Sequence, residues 1–408
     1  SICHKCAKPC PVNIDFGDVT VCMRNFLREQ GKKKFVPAKA AAIAFLSAKD
    51  ATYIRIMRKL MIEWGYRGQR WAHHLAKSFR LVQGQMRRPP STIERPTLRS
   101  QIIHFVNRPL PGVPRHTSRA LLGIEDEKIV PVIRDPEKLN APDRVNEAVF
   151  YFPGCGSERL FSQVGLATQA ILYDIGVQTV LPPGYLCCGY PQTAAGESAQ
   201  GRKITTDNRV LFHRMANTLN YLDIGTVIVS CGTCMDQLLE YRFDKIFPGC
   251  RLLDIHEYLL EKGVILKGDP ADRTRYMYHE PCHAPMKTQP GFKVAGALLG
   301  RDIVPLERCC GESGTLSVTR PDISTQLRYR KQREIEKGID QCRVGGHKGD
   351  IRLLTSCPSC LQGLSRHNAP GLRADYIVIE IVRQRLGKNW MEDYLRKAGD
   401  GGIERVLL

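Results

Sequence analysis

The chain of 408 residues is long enough for two or three domains, and its 43% of hydrophobic residues can fill ordinary apolar cores. No apolar run reaches the roughly 18 residues of a membrane-spanning helix, and the N-terminal residues lack the pattern of a secretory signal, so we expect a cytoplasmic protein. The formal charge of +19 falls mostly on residues 1–120, which hold 23 Lys and Arg against 6 Asp and Glu. This basic region predicts an acidic partner or an anionic membrane surface, and because no nucleic-acid motif accompanies it we expect no nucleic-acid partner.

Three cysteines near the start of the chain, Cys3, Cys6 and Cys10, have the spacing C-x2-C-x3-C and are followed by Pro11. This is the later part of the bacterial ferredoxin run C-x2-C-x2-C-x3-C-P, which binds iron–sulfur clusters. The first cysteine of that run would lie one residue before Ser1. We therefore expect the chain to be a fragment of a longer polypeptide, with further cluster ligands upstream.

A helical pattern follows and begins at Pro37. Apolar residues recur at helical spacing, on one predicted face, at Ile54, Met57, Met61 and Trp64. Basic residues occupy the other predicted face at Arg55, Arg58 and Lys59. The pattern predicts helices that pack on the cysteine region or, alternatively, a basic amphipathic surface on a membrane. We assign residues 1–81 to a partial ferredoxin-type helical domain, and the proline- and arginine-rich residues 82–144 to a linker or arm.

From about residue 145, short apolar strands alternate with helical stretches, which is typical of an α/β fold with a largely parallel sheet. An internal repeat runs through this region: a cysteine after a strand, then CCG, then CxxC. The first copy, in residues 145–266, contains Cys155, Cys187, Cys188, Cys231 and Cys234. The second copy, in residues 267–408, contains Cys282, Cys309, Cys310, Cys357 and Cys360. We predict two related α/β domains.

Clustered cysteines in a large chain favour metal binding over disulfides, and thiolates suit zinc or iron–sulfur clusters. Zinc takes four ligands in a closed tetrahedron, whereas each repeat offers five cysteines, two of them adjacent. Adjacent side chains diverge, so they suit two different irons of a larger cluster better than one small ion. The glycine after each pair allows the backbone to approach the sulfides. Zinc and disulfides remain alternatives.

Other residues near the motifs receive simpler interpretations. Three cysteines lie outside both repeats and are predicted to be small buried residues: Cys22, Cys250 and Cys342. His279 and His283 are interpreted as hydrogen-bonded polar neighbours of the second repeat, with a role as ligand or proton carrier as the alternative. Glu312 and Ser313 follow the second cysteine pair and are interpreted as helix-capping residues. No catalytic residue is predicted.

The pattern C-xn-CCG-xn-CxxC, present twice, resembles the cysteine-rich CCG domains of heterodisulfide reductase and of the iron–sulfur subunits of glycolate oxidase and anaerobic glycerol-3-phosphate dehydrogenase. The stretch "YHEPCHAPMK" and the later "RCCGESGTLSVTRPDIS" are similar to bacterial proteins that fuse an FAD-linked 2-hydroxyacid dehydrogenase to such a module. The resemblance implies a helical two-cluster ferredoxin domain before two CCG domains. It also implies [4Fe-4S] cubanes, with Cys3 and Cys6 on one and Cys10 on the other, and a noncubane [4Fe-4S] cluster in each repeat.

The resemblance further implies an electron-transfer module. FAD, upstream or on a partner dehydrogenase, would take a hydride from a 2-hydroxy acid such as lactate or glycolate, and electrons would pass to a quinone or another acceptor. The basic N-terminal region would then dock as a peripheral protein on the inner membrane. Two alternatives are a thiol–disulfide reductase and a zinc-binding scaffold without enzymatic activity.

Overall fold

The computed structural model describes residues 2–7, 9–82, 88–89, 96–139, 147–268, 272–312, 315–346, 348–367 and 369–408. The α/β class expected from the alternating pattern is confirmed, because helices cover two sheets in which the four strands of each repeat are parallel. None of the helices in the described ranges combines the length and apolar character needed to cross a bilayer.

The N-terminal part is helical. Its helices are α1 (Phe16–Glu29), α2 (Pro37–Ser47), α3 (Ala51–Met57), α4 (Gly65–Ser78) and α5 (Leu98–Val106), with a π-helical segment, Arg58–Trp64, joining α3 to α4. Asp15 caps α1 by accepting a hydrogen bond from the Gly17 amide, and Pro37 occupies the first turn of α2.

The π-helical segment overturns the predicted helix faces. Ile54 is buried as expected, but Trp64 is 57% exposed and Arg58, expected on the outer face, is only 2% exposed. The i→i+5 hydrogen bonds of a π-helix wind the chain less tightly than an α-helix, so residues after Met57 turn away from the positions that a 3.6-residue period predicts.

The first sheet has the order β10-β1-β3-β2-β4-β5. Its strands are β1 (Ile129–Ile133), β2 (Ala148–Phe152), β3 (Gln178–Val180), β4 (Ile224–Val229), β5 (Arg251–Asp254) and β10 (Ile403–Leu407). The helices along this stretch are α6 (Ser118–Leu122), α7 (Pro136–Leu139), α8 (Ser162–Asp174), α9 (Tyr190–Ala194), α10 (Ser198–Thr218), α11 (Gly232–Leu239) and α12 (Ile255–Glu261), with short π- and 3-10-helical turns at Gly156–Leu160 and Phe243–Lys245.

The second sheet has the order β7-β6-β8-β9. Its strands are β6 (Arg275–His279), β7 (Ile303–Leu306), β8 (Ile351–Thr355) and β9 (Leu372–Tyr376). The remaining helices are α13 (Gly291–Leu299), α14 (Leu316–Thr319), α15 (Pro321–Cys342), α16 (Pro358–Leu364), α17 (Ile377–Leu386) and α18 (Trp390–Gly399). Both repeats therefore place their second strand outside the first and continue through the third and fourth on the other side.

Two strands depart from the expected boundaries. Strand β1 lies in the segment predicted as a linker, yet it pairs antiparallel with β3 and with β10. Strand β10 follows the second repeat along the chain but completes the sheet of the first. Residues 83–87, 90–95 and 140–144 of the predicted linker, and residues 145–146 of the first predicted repeat domain, lie outside the described residues.

One apolar core joins the two sheets. Tyr151 and Ile228 of the first sheet belong to the same buried cluster as Tyr278 and Leu354 of the second. Helices α8, α13 and α17 contribute further side chains to this cluster. Because the repeats share a core, their relative position is determined by packing, and so is the distance between their cysteines.

Candidate metal centres

The ten repeat cysteines meet because of strand direction. In both repeats the first cysteine follows the first parallel strand, the CCG follows the second, and the CxxC follows the third. Carboxyl ends of parallel strands lie at one edge of a sheet, and the crevice beside the first strand is where this strand order binds ligands. The two groups are called the first centre (Cys155, Cys187, Cys188, Cys231, Cys234) and the second centre (Cys282, Cys309, Cys310, Cys357, Cys360).

In the first centre, the adjacent cysteines lie within reach of each other, and each also reaches a different partner. Cys187 lies within hydrogen-bonding reach of Cys155, whereas Cys188 lies within reach of Cys234, which in turn reaches Cys231. The second centre repeats this arrangement: Cys309 reaches Cys282, while Cys310 approaches Cys360 with 3.5 Å between the two sulfurs. The members of each adjacent pair thus reach different outer partners while they also lie within reach of each other.

The two centres meet across the interface between the repeats. Cys231 lies within hydrogen-bonding reach of Cys357, so the ten sulfurs form one continuous row from Cys155 to Cys282. The chain following each strand packs on the opposite repeat: a Cβ on Gly156 would meet the Pro358 ring at 2.9 Å, and one on Gly232 would meet the His283 carbonyl.

The glycine of each CCG has the backbone conformation that its position requires. Gly189 and Gly311 have φ of 94° and 80°, in the left-handed region that favours glycine. This conformation lets the Gly311 amide donate to the Cys309 sulfur at 3.4 Å, and the Gly189 amide acts on Cys187 in the same way. Amide donors of this kind stabilise thiolates and tune cluster potentials.

The sulfurs also influence each other's protonation. The hydrogen bond from Cys155 is the largest cause that holds the pKa of Cys187 well below its usual range, and the bond from Cys282 does the same for the pKa of Cys309. The hydrogen bond from Cys234 likewise lowers the pKa of Cys231. The same hydrogen bonds raise the pKa of the partner thiols Cys155 and Cys282, so each close pair shares one proton. Five thiols per centre are soft donors of the kind that binds an iron–sulfur cluster.

The N-terminal cysteines lie in a segment that contacts the second repeat. The Ile2 carbonyl accepts a hydrogen bond of 2.9 Å from Nε2 of His283, and the Lys5 ammonium donates to the Glu307 carbonyl at 3.1 Å. Cys10 accepts from the Ile14 amide at 3.3 Å, and among the described residues the sulfurs of Cys3, Cys6 and Cys10 are not all within 4.8 Å of one another.

His283 has the hydrogen-bonded role that the sequence suggested. Its Nδ1 lies 2.5 Å from Asp236, and its Nε2 lies 3.1 Å from the Tyr190 hydroxyl. Burial lowers the pKa of His283, but the bonds to Asp236 and to the Ile2 carbonyl outweigh it and raise that pKa. His283 thus ties the second centre to the first repeat and to the N-terminal segment.

Two other interpretations of nearby residues are wrong. His279 is fully buried, and neither ring nitrogen has a hydrogen-bond partner among the described residues. Glu312 does not cap a helix; it accepts from Ser317 and Gln362, each at 2.6 Å. Ser313 lies outside the described residues. Of the cysteines outside the repeats, Cys250 and Cys342 are buried as predicted, but Cys22 is exposed.

Comparison with known proteins agrees with the repeat. The family model described as "Cysteine-rich domain" (CCG) matches residues 149–239 and 276–365, and a domain of unknown function (DUF3400) matches residues 366–408. No solved structure matches the chain.

Several curated relatives cover about half of the chain. One subunit of the fumarate reductase (CoM/CoB) of Methanothermobacter marburgensis is 27% identical over 218 residues, which is 52% of this chain and 40% of the relative. An uncharacterized iron–sulfur protein of Methanocaldococcus jannaschii is 27% identical over 57% of this chain and 44% of its own length. Lactate utilization protein A of an Exiguobacterium species is 26% identical over 51% of this chain and 86% of its own length. The chain thus spans less than half the length of the first two relatives. Residues 149–239 and 276–365 are thus two CCG cysteine-rich domains, each built around five thiols, and the chain is similar to proteins named as iron–sulfur proteins.

Proposed function

We propose that this chain is the iron–sulfur electron-transfer module of a flavin-dependent 2-hydroxyacid dehydrogenase, and that each repeat holds one [4Fe-4S] cluster through its five cysteines. The observation that carries the proposal is the continuous row of ten sulfurs across both repeats. A bound cluster supplies one-electron storage at a potential set by its surroundings. The chain's own residues hold the thiolates and direct amide donors at the sulfurs. They exclude water through two apolar clusters, one with Cys188 and Cys234 and the other with Cys310, Cys357 and Cys360.

Electrons would reach the row of ten sulfurs through clusters held in part by the N-terminal cysteines. Cys3 and Cys6 would serve one cubane and Cys10 another, with the remaining ligands supplied upstream. The contacts from Ile2 to His283 and from Lys5 to Glu307 hold this segment against residues that flank Cys282 and Cys309. Several relatives are named lactate utilization protein A, which supports a 2-hydroxy acid as the source of electrons. FAD on an upstream domain or partner would accept the hydride, and a quinone would be the final acceptor.

A second candidate function is thiol–disulfide reduction. The contact between Cys231 and Cys357 brings the two centres together at the interface of the repeats, where one small substrate would touch both. One relative is named as part of a CoM/CoB reductase, which supports this reaction class.

The test uses the full-length protein, purified without oxygen. We expect iron and sulfide in both repeats, loss of one centre's iron in Cys187→Ser and in Cys310→Ser, and full iron content in Cys22→Ser, the matched change at an exposed cysteine outside both centres. Bleaching of the cluster absorbance by lactate or glycolate supports the dehydrogenase function. Reoxidation by a disulfide, without reduction by hydroxy acids, would favour the reductase instead. A colourless protein that contains zinc would refute both.

A further inference from the structure

The second centre contains a buried imidazole that the first centre lacks. His279 is the last residue of β6 and precedes Cys282 by three positions; in the first repeat Phe152 ends β2 and precedes Cys155 by three. A ring nitrogen of His279 and the sulfurs of Cys310 and Cys360 all lie within 4.8 Å of one another. The repeats are therefore alike in their thiols and differ at this position beside them.

The surroundings of His279 do not satisfy its ring. The side chain is fully buried, and neither Nδ1 nor Nε2 has a hydrogen-bond partner among the described residues. The backbone of Leu306, which pairs with His279 on β7, makes only a small contribution to the pKa of the ring. A buried polar group without a hydrogen-bond partner lowers the stability of the fold by about 1–3 kcal/mol, so an interaction at the ring nitrogens is needed to offset this loss.

The fold itself does not need a histidine at this position. Phe152 fills the equivalent place in the first repeat and is buried in an apolar cluster that includes Cys188 and Cys234. An apolar ring therefore fits beside the sulfurs of such a centre, and the imidazole of His279 has a chemical rather than a packing role. A nitrogen beside two thiolates, with a backbone carbonyl near the ring, is the usual arrangement of a histidine metal ligand.

A second difference between the repeats also lies beside the cysteines. Gly189 packs on the carbonyl of Gly201 in α10, and Gly311 packs on that of Ser324 in α15. Seven residues further along these helices stand Asn208 and Lys331. Lys331 is fully buried and pairs with Glu334 at 2.7 Å, so the second centre has a buried cation where the first has an amide.

We propose that a ring nitrogen of His279 is a ligand to iron in the second centre, beside Cys310 and Cys360, and makes this centre easier to reduce than the first. The inference rests on the proposed binding of clusters by the repeats. A polar imidazole in place of the apolar ring of Phe152, together with the buried cation of Lys331, stabilises the negative charge added on reduction and so raises the potential of the second centre. The centre that is easier to reduce is then the one that the N-terminal segment contacts through Ile2 and Lys5.

The experiment compares the full-length protein with His279→Phe, which copies the residue of the first repeat. In the reduced wild type, pulsed EPR is expected to show a directly bound nitrogen whose coupling changes when histidine is labelled with nitrogen-15. In His279→Phe that signal is lost, iron content is retained, and one of the two midpoint potentials becomes more negative. His73→Phe is the matched control, because His73 is also buried but bonds to the Val106 carbonyl, and it is expected to leave both potentials unchanged.

Absence of the nitrogen coupling in the wild type, its persistence in His279→Phe, or two unchanged potentials would overturn the assignment. The labelled wild type decides the question even if the variant does not fold. A wild type without iron in the second repeat would instead refute the proposed function, so the two failures are distinguishable.

Discussion

The interface between the two repeats leaves no space for a side chain at Gly232, the residue after Cys231. A Cβ built there would lie 1.7 Å from the carbonyl oxygen of His283, 2.6 Å from its carbonyl carbon and 3.2 Å from the Pro285 ring. Favourable contacts between such atoms begin near 3.5 Å, so Gly232→Ala must separate the two segments by roughly 2 Å. The nearest atoms belong to the backbone and cannot rotate away.

We expect Gly232→Ala to destabilise the protein by about 3 kcal/mol, the upper end of the cost of overpacking a well-packed interior. Because Cys231 reaches Cys357 across this interface, the change should also lower the iron content of both centres. The measurements are the midpoint of urea unfolding and the iron per chain. Gly225→Ala is the matched control in the preceding strand: nothing lies within 4 Å of its Cβ, so a change within about 0.5 kcal/mol is expected.

Equal urea midpoints and equal iron contents for the two variants would refute this reasoning. That result would mean that the repeats can move apart at little cost, and that their shared core does not determine the spacing of the sulfurs.

Two further predictions concern stability. Arg58→Met should lower the free energy of urea unfolding by about 3 kcal/mol. Buried Arg58 donates to the carbonyls of Arg159, Pro114 and Arg115, and all three would lose this donor. The matched change Arg55→Met, at an exposed arginine, should be nearly neutral. For Asp322, burial raises the pKa, but the hydrogen bond from Arg320 and other bonds lower it to about 2. The ionised carboxylate therefore stabilises the fold above the unfolded pKa of about 3.9, and this stabilisation is lost as the pH falls toward 2. Asp322→Asn should lower the free energy of unfolding by about 2 kcal/mol at pH 7, and the difference between the variant and the wild type should narrow below pH 4.

The α/β class and the two groups of five cysteines could be predicted because each depends on local pattern. Alternating short strands and helices imply a parallel sheet, and a parallel sheet brings the loops after its strands to one edge. The contact between Cys231 and Cys357 was not predictable in this way. It depends on the core shared by the two sheets, in which Tyr151 bonds to Ser230 at 2.8 Å, Tyr278 bonds to Ser356 at 2.9 Å, and Tyr376 donates across the interface to the Ser230 carbonyl.

The basic N-terminal third shows how a charge count can mislead. Four of its cations converge on the carbonyls of residues 194–196, at the end of the helix that follows the first CCG: Arg24, Arg28, Lys33 and Lys39. Three further arginines of this region are buried: Arg58, Arg108 and Arg119. These side chains bind the protein's own backbone and acidic groups, so less of the charge is free for an anionic membrane than the sequence count suggests. Membrane docking remains a hypothesis with a weaker basis.

The duplication also provides an internal comparison that composition and motif spacing do not. Positions that agree in both repeats, such as the tyrosine before each strand end and the glycine after each cysteine pair, are what this architecture needs in order to hold five thiols. Positions that differ show what the fold tolerates, and a polar residue at such a position must be explained by chemistry. Phe152 and His279 are such a pair: "FYFPGC" and "MYHEPC" align without a gap, so the difference is visible in the sequence, but only burial without partners beside Cys310 and Cys360 shows that it matters. Two centres with different surroundings can have different reduction potentials, so electron transfer along the row of sulfurs has a favoured direction, which two identical centres would not give.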